Sequence, residues 1–145
     1  MTENSDILTF LGLMKRAGAL SVGADDTAES CKLGKARLAL LACDTAENTV
    51  KWIEESCRHK DVPVLRLAHD KKDMGDALGV GGCATAAVCD TGFSLALCKK
   101  LGLWELTEKM ELRLQREKRR KAKKLAGKSS AHTSEKGEIK YDDKI

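Results

Sequence analysis

Aromatic side chains are scarce in this 145-residue chain, with two Phe, two Trp and one Tyr. So few rings cannot furnish the stacking platforms on which sheet- and barrel-type binders hold single-stranded bases. No stretch approaches the roughly 18 consecutive apolar residues of a membrane span. The opening MTENSDIL has no basic start followed by an apolar run, so a secretory leader is not expected either. The six Cys include no C-x-x-C pair and stand beside only three His, which removes zinc-type spacing. Cysteines set among Ala, Leu, Val and Ser are read as small buried hydrophobes of a reducing cytoplasm, without metal or disulfide framework. Proline occurs once, at Pro63, leaving Gly and Asp as the main punctuation.

The apolar share is 42%, drawn mostly from Ala, Leu and Val, which suffices for one core of small aliphatic layers. The length suits one compact domain plus an appendage. A net charge of +4 hides a division: residues 1–104 carry 13 basic against 14 acidic side chains, whereas residues 105–145 carry 13 against 8. A nearly neutral domain is thus followed by a basic segment.

Along the chain, Ile7, Phe10, Leu11 and Met14 recur at helical spacing, predicting a helix over 6–16 with Ser5 as N-cap and Gly18 as terminator. A short extended piece over 20–22 leads to a helix over 24–33, where Asp26 and Glu29 have the form of a capping box. Residues 36–43 are a nearly continuous apolar run, as in a strand covered on both faces. Asp44 with Glu47 predicts a capped helix over 45–59. Pro63 opens a short strand, Asp70 caps a helix over 71–78, and residues 84–89 form another small-residue strand. Asp90 or Thr91 then starts a helix ended by Gly102. Strands alternate with helices, which calls for a mixed sheet between helical layers. Trp52 and Trp104 fall in helical segments and are expected to pack into the core or the junction with the appendage.

After residue 102 the character changes. Leu103, Leu106, Met110 and Leu114 make a narrow apolar stripe on a charged helix expected over 103–126. Residues 113–124 hold eight basic side chains and one acid. Residues 127–145 have little to bury and are expected to be disordered.

Catalytic signatures are missing. No Ser stands in a G-x-S-x-G context, and the His residues fall at a helix end, in a loop and in the tail. The glycine-rich stretch over 75–82 lies between helix and strand, whereas a phosphate-cofactor loop follows a strand and precedes a helix; no G-K-[ST] follows it. Neither an enzyme nor a cofactor is expected. Nucleic-acid binding, by contrast, has its electrostatic component in the basic run. Backbone and loop contacts are available at Gly23, Ala24, Asp25 and Asp26 before one helix, and at Val80, Gly81, Gly82 and Cys83 before one strand.

The order of segments is more specific than any one of them. Lys15-Arg16-Ala17-Gly18, Gly23-Ala24-Asp25-Asp26, Gly34-Lys35-Ala36-Arg37-Leu38, Leu41-Ala42-Cys43-Asp44, Val62-Pro63-Val64 and Met74-Gly75-Asp76-Ala77-Leu78-Gly79 follow in turn, before the closing small-residue strand. Over residues 6–101 this series resembles the ribosomal L-seven-Ae family, a kink-turn RNA-binding superfamily that includes large-subunit ribosomal proteins. The likeness is strongest to its bacterial branch, where Asp90-Thr91-Gly92-Phe93 would begin the domain's last helix.

The resemblance implies a three-layer α/β/α sandwich whose RNA site lies where the loop before the second helix meets the loop before the last strand. The family's first loop commonly reads G-x-N-E-x-x-K. Carried onto this chain, the Asn position is Asp25, the Glu position Asp26 and the Lys position Glu29. Asp cannot donate the hydrogen bonds of an Asn amide, and Glu29 puts an anion where a cation would attract phosphate. A capped, solvated helix start remains the other reading of these three residues.

Lys35 and Arg37 stand at the exposed beginning of a strand, where solvation and phosphate contact are both open. Arg116, Lys118, Arg119, Arg120, Lys121, Lys123 and Lys124 are assigned to phosphate contact, in preference to a merely solubilising face. The expected function is non-enzymatic binding of structured RNA, kink-turn-like or ribosomal, in association with ribosomal or other ribonucleoprotein partners. A protein-interaction adaptor, offering its acidic loop to a basic partner, is the alternative.

Overall fold

A computed structural model describes residues 3–134, with side chains from residue 6 to residue 125. The order is α1 (Glu3–Arg16), β1 (Leu20–Val22), α2 (Ala24–Lys32), β2 (Leu38–Leu41), α3 (Glu47–Arg58), β3 (Val64–Arg66), α4 (Lys71–Leu78), β4 (Thr85–Val88), α5 (Thr91–Leu101) and α6 (Trp104–Ser134). The sheet runs β1-β4-β2-β3: β4 is antiparallel to both β1 and β2, while β2 and β3 are parallel. This is the mixed α/β sandwich that the alternation of elements predicts.

The two central strands are wholly buried, and their two-residue period divides the core. Leu38, Leu40 and Val88 face Ile7, Leu11 and Met14 of α1, Met74 and Leu78 of α4, and Leu97 and Cys98 of α5. Ala39, Leu41 and Ala87 face Ala28 and Cys31 of α2 and Ile53 and Cys57 of α3. Alanine on the second face lets α2 and α3 approach the sheet closely, as a core of small aliphatic layers requires.

Several helix starts depart from the sequence expectation. Helix α1 is already under way at Glu3, so Ser5 lies within it and is not its cap. Helix α2 is capped by Gly23 without any side-chain bond, leaving Asp26 and Glu29 within the helix and no capping box between them. Helix α3 starts after Ala46, again with no side-chain cap. Asp44 instead accepts the Lys71 amide at 2.9 Å, and Asp70 accepts that of Asp73 at 2.8 Å, so two aspartates serve the first turn of α4. Asp90 caps α5 through the Phe93 amide. A competing partner in the tertiary fold, here the α4 amide, overrides local capping grammar.

Exposure corrects other readings. Trp52 is 39% exposed and Trp104 70%, so neither indole fills the core. His69 lies in a loop, as read from sequence, and is buried there. Cys31, Cys57, Cys83 and Cys98 are buried as expected, whereas Cys43 is exposed and Cys89 partly so.

The chain divides into two compact units, one ending at Met110 and one starting at Glu111. The boundary expected after residue 102 falls inside the first unit, because Thr107 and Met110 are buried and Leu106 packs on its core. In the second unit α6 continues to Ser134, so residues 127–134, expected to be disordered, are helical. Residues 135–145, the rest of that expected tail, lie outside the described residues.

Candidate nucleic-acid interface

The antiparallel pairing of β1 with β4 brings the exit of β1 beside the approach to β4, with Val22 opposite Ala86. Just beyond, the Gly23 amide donates to the Thr85 carbonyl at 3.0 Å. Gly23 adopts φ 98°, a left-handed conformation that L side chains rarely take, and it turns the chain directly into α2. Beneath this turn Thr85 Oγ1 and Thr27 Oγ1 lie 3.3 Å apart, both buried.

Cys83 bonds to the same carbonyl. Its thiol donates to the Thr85 carbonyl at 3.1 Å, and its amide donates to the Lys71 carbonyl at 3.1 Å. Burial pushes this thiol up. Cys83 is therefore an anchor under the loop. Val80, Gly81 and Gly82 ahead of it are exposed, and nothing lies within 4 Å of a β-carbon built on Gly81 or Gly82. Gly75 of α4, in contrast, touches the Gly82 backbone and so holds the loop against the helix.

A third loop completes the rim. The Ala42 amide donates to the Ala84 carbonyl at 2.8 Å, and the Thr45 hydroxyl is within reach of the Ala42 and Ala84 carbonyls at 2.7 and 3.2 Å. At the chain's first helix, Lys15 Nζ donates to the Leu78 carbonyl at 2.6 Å, directly before the glycine-rich loop. Sequence reasoning does not single out Lys15, Gly75 or Thr45 as site residues. Lys15 and Leu78 are 63 residues apart, so no local signal joins them.

Asp25, Asp26 and Glu29 are exposed on the first turns of α2. The N-terminus of α2, without a side-chain cap, favours anions, and Asp25 and Asp26 already supply negative charge there. Such a rim can offer backbone groups, small apolar contacts at Val80 and the glycines, and a cation at Lys15. It has little attraction for phosphate of its own.

Lys35 and Arg37 are not brought to this rim. The Arg37 amide pairs with the Val88 carbonyl, at the opposite end of β4 from Thr85. Its guanidinium donates to Thr91 Oγ1 at 3.1 Å and to the Gly34 and Lys35 carbonyls at 3.0 Å each, a structural clamp between strand and helix starts. On α6, Arg116, Lys118, Arg119, Arg120, Lys121, Lys123 and Lys124 all lie on a helix that keeps most of its surface in solvent. Arg116, Arg119, Arg120 and Lys123 recur at i, i+3, i+4 and i+7 and so share one side of the helix.

The same fold recurs in known proteins. Residues 5–97 match the model of the ribosomal protein L7Ae/L30e/S12e/Gadd45 family. The chain belongs to that family. The RNA-binding protein YlxQ of Bacillus subtilis (strain 168) is 30% identical over 91 residues, which are 63% of this chain and 90% of the relative. A Bacillus halodurans structure, of a protein described as of unknown function, superposes with a TM-score of 0.61 at 27% identity, covering 66% of this chain and 96% of its own. The Giardia lamblia 15.5kD RNA binding protein superposes at 0.53 with 22% identity, over 77% and 91%, which is a likeness of fold. Within this family frame, the matched segment ends before α6, so the basic helix lies outside the shared domain.

Among the described residues no helix is long and apolar enough to cross a membrane.

Proposed function

We propose that this chain binds structured RNA without catalysing a reaction, using the rim at Gly23 and at residues 80–83 for shape and α6 for electrostatic attraction. The observation that carries the reading is the junction of the two loops. The Gly23 amide donates to the Thr85 carbonyl, and the buried Cys83 thiol donates to the same carbonyl, which leaves an exposed, small-residue surface at the end of the sheet. Preformed loops lose little entropy on binding, so they suit recognition of a folded RNA better than of a flexible strand. Membership of the family and the RNA-binding name of the Bacillus subtilis relative support the same reading.

The finer assignment is a kink-turn-like or ribosomal RNA, encountered in the cytoplasm alongside ribosomal or other ribonucleoprotein components. With Asp25 and Glu29 on the rim, affinity is expected to draw heavily on Arg116, Arg119, Arg120 and Lys123. These four can each neutralise a phosphate, whereas the rim contributes geometry.

Purification of the full chain from cells tests the reading. Recovery of nuclease-sensitive material, reduced by Gly82→Glu, is expected. A protein partner retained after nuclease treatment, with no bound RNA, would overturn it in favour of an adaptor.

A further inference from the structure

Cys31 on α2 and Cys57 on α3 are buried where those helices pack over the sheet, with their sulfurs 3.2 Å apart. Twenty-six residues separate them in sequence, so no spacing motif announces the pair. Around them stand Ala28, Ala36, Ala39, Leu41, Ile53 and Val62, an aliphatic lining. A disulfide needs the sulfurs at about 2.05 Å, so closure requires them to approach by about 1 Å.

We propose that Cys31 and Cys57 form a two-thiol redox site that closes into an intrachain disulfide, with a peroxide as oxidant. With Cys57 as the first to react, the Cys31 sulfur 3.2 Å away is placed to resolve it. The Cys57 thiolate attacks one peroxide oxygen, an S–O bond forms as the O–O bond breaks, and the departing hydroxide takes up a proton as water. The Cys31 sulfur then attacks the sulfur of the Cys57 sulfenic acid. The S–S bond forms, the S–O bond breaks, and hydroxide leaves with the Cys31 proton as a second water. Two thiols have lost two electrons and the peroxide has gained them. Burial selects for a small neutral oxidant, since a protein disulfide could not reach either sulfur. The product would staple α2, the helix that begins just after Gly23, to α3.

The test treats the full-length protein with hydrogen peroxide, then quenches, denatures, alkylates the remaining thiols and maps peptides by mass spectrometry. The expected result is loss of two of the six thiols, recovered as one peptide pair joined through Cys31 and Cys57. Tm should rise by about 5–15 °C, reversibly with dithiothreitol. In Cys31→Ala, and equally in Cys57→Ala, the joined pair disappears and peroxide no longer raises the Tm. Full alkylation of both residues in peroxide-treated wild-type protein would overturn the proposal. So would oxidation of either one without linkage, or consumption of peroxide at the exposed Cys43 alone.

Discussion

Gly75 of α4 and Gly82 of the following loop are in backbone contact: a β-carbon on Gly75 would lie 2.8 Å from the Gly82 α-carbon and 3.1 Å from the Val80 carbonyl oxygen. The loop over 80–82 is thereby seated on α4, and neither backbone can move aside as a flexible side chain would. Gly75→Ala gains about 1 kcal/mol of helix propensity and meets a clash costing about 1–3 kcal/mol. The expected outcome is a net loss near 1 kcal/mol in urea unfolding and at least a ~5-fold loss of affinity for structured RNA. Gly82→Ala, which enters open space, should stay within about 0.5 kcal/mol of wild type. Unchanged binding by Gly75→Ala would show that this contact does not position the loop.

The basic side of α6 predicts a specific salt signature. Replacing Arg116, Arg119, Arg120 and Lys123 together by Gln should reduce the slope of log affinity against log salt by about 3, at roughly 0.7–0.9 for each phosphate no longer neutralised. Fluorescence anisotropy with a labelled RNA hairpin measures it directly. A slope equal to that of wild type would remove the helix from the interface.

The acids on α2 make an opposite prediction. Asp25→Asn combined with Glu29→Lys exchanges repulsion of phosphate for an amide donor and a cation on exposed positions. Affinity for structured RNA at low salt should rise about 10-fold, with the gain shrinking as salt is added. Weaker binding by a normally folded variant, checked by circular dichroism, would mean that the acids themselves contact a partner.

Burial pushes the Cys98 thiol above its ordinary value of 9.0. Above pH 9 the unfolded chain loses this proton while the folded chain keeps it, so unfolding releases a proton and stability falls as pH rises. The contribution is complete below the unfolded value and is lost through the folded one, at up to about 1.4 kcal/mol per pH unit. Cys98→Ala should therefore flatten the decline in urea-unfolding free energy as pH rises above about 9. Parallel curves for the two proteins would contradict a raised thiol.

Much of this architecture was legible in the sequence because its signals are local and repetitive. The apolar runs ending at Cys43 and Cys89 mark strands covered on both faces, and Asp70, Gly79, Asp90 and Gly102 mark helix ends that the fold keeps. Where the reading failed, a distant group had intervened. Asp44 abandons α3 because it accepts the Lys71 amide instead, and Arg37 is engaged by Thr91 rather than left for a ligand. The two candidate loops could be named from sequence, but their union through the Gly23 amide and the Thr85 carbonyl depends on β1 and β4 pairing across most of the domain. No local pattern records that pairing, nor the closeness of Lys15 to Leu78 or of Cys31 to Cys57.

Ultraviolet crosslinking of the full-length protein to its co-purified RNA, with mass-spectrometric mapping of the nucleotide-bearing peptides, tests the central claim most directly. The account predicts crosslinks in peptides carrying Gly23, residues 80–83 and the basic segment of α6, and none at Lys35 or Arg37. Crosslinks confined to the Lys35 and Arg37 end of the sheet, with the rim and α6 unmarked, would contradict it.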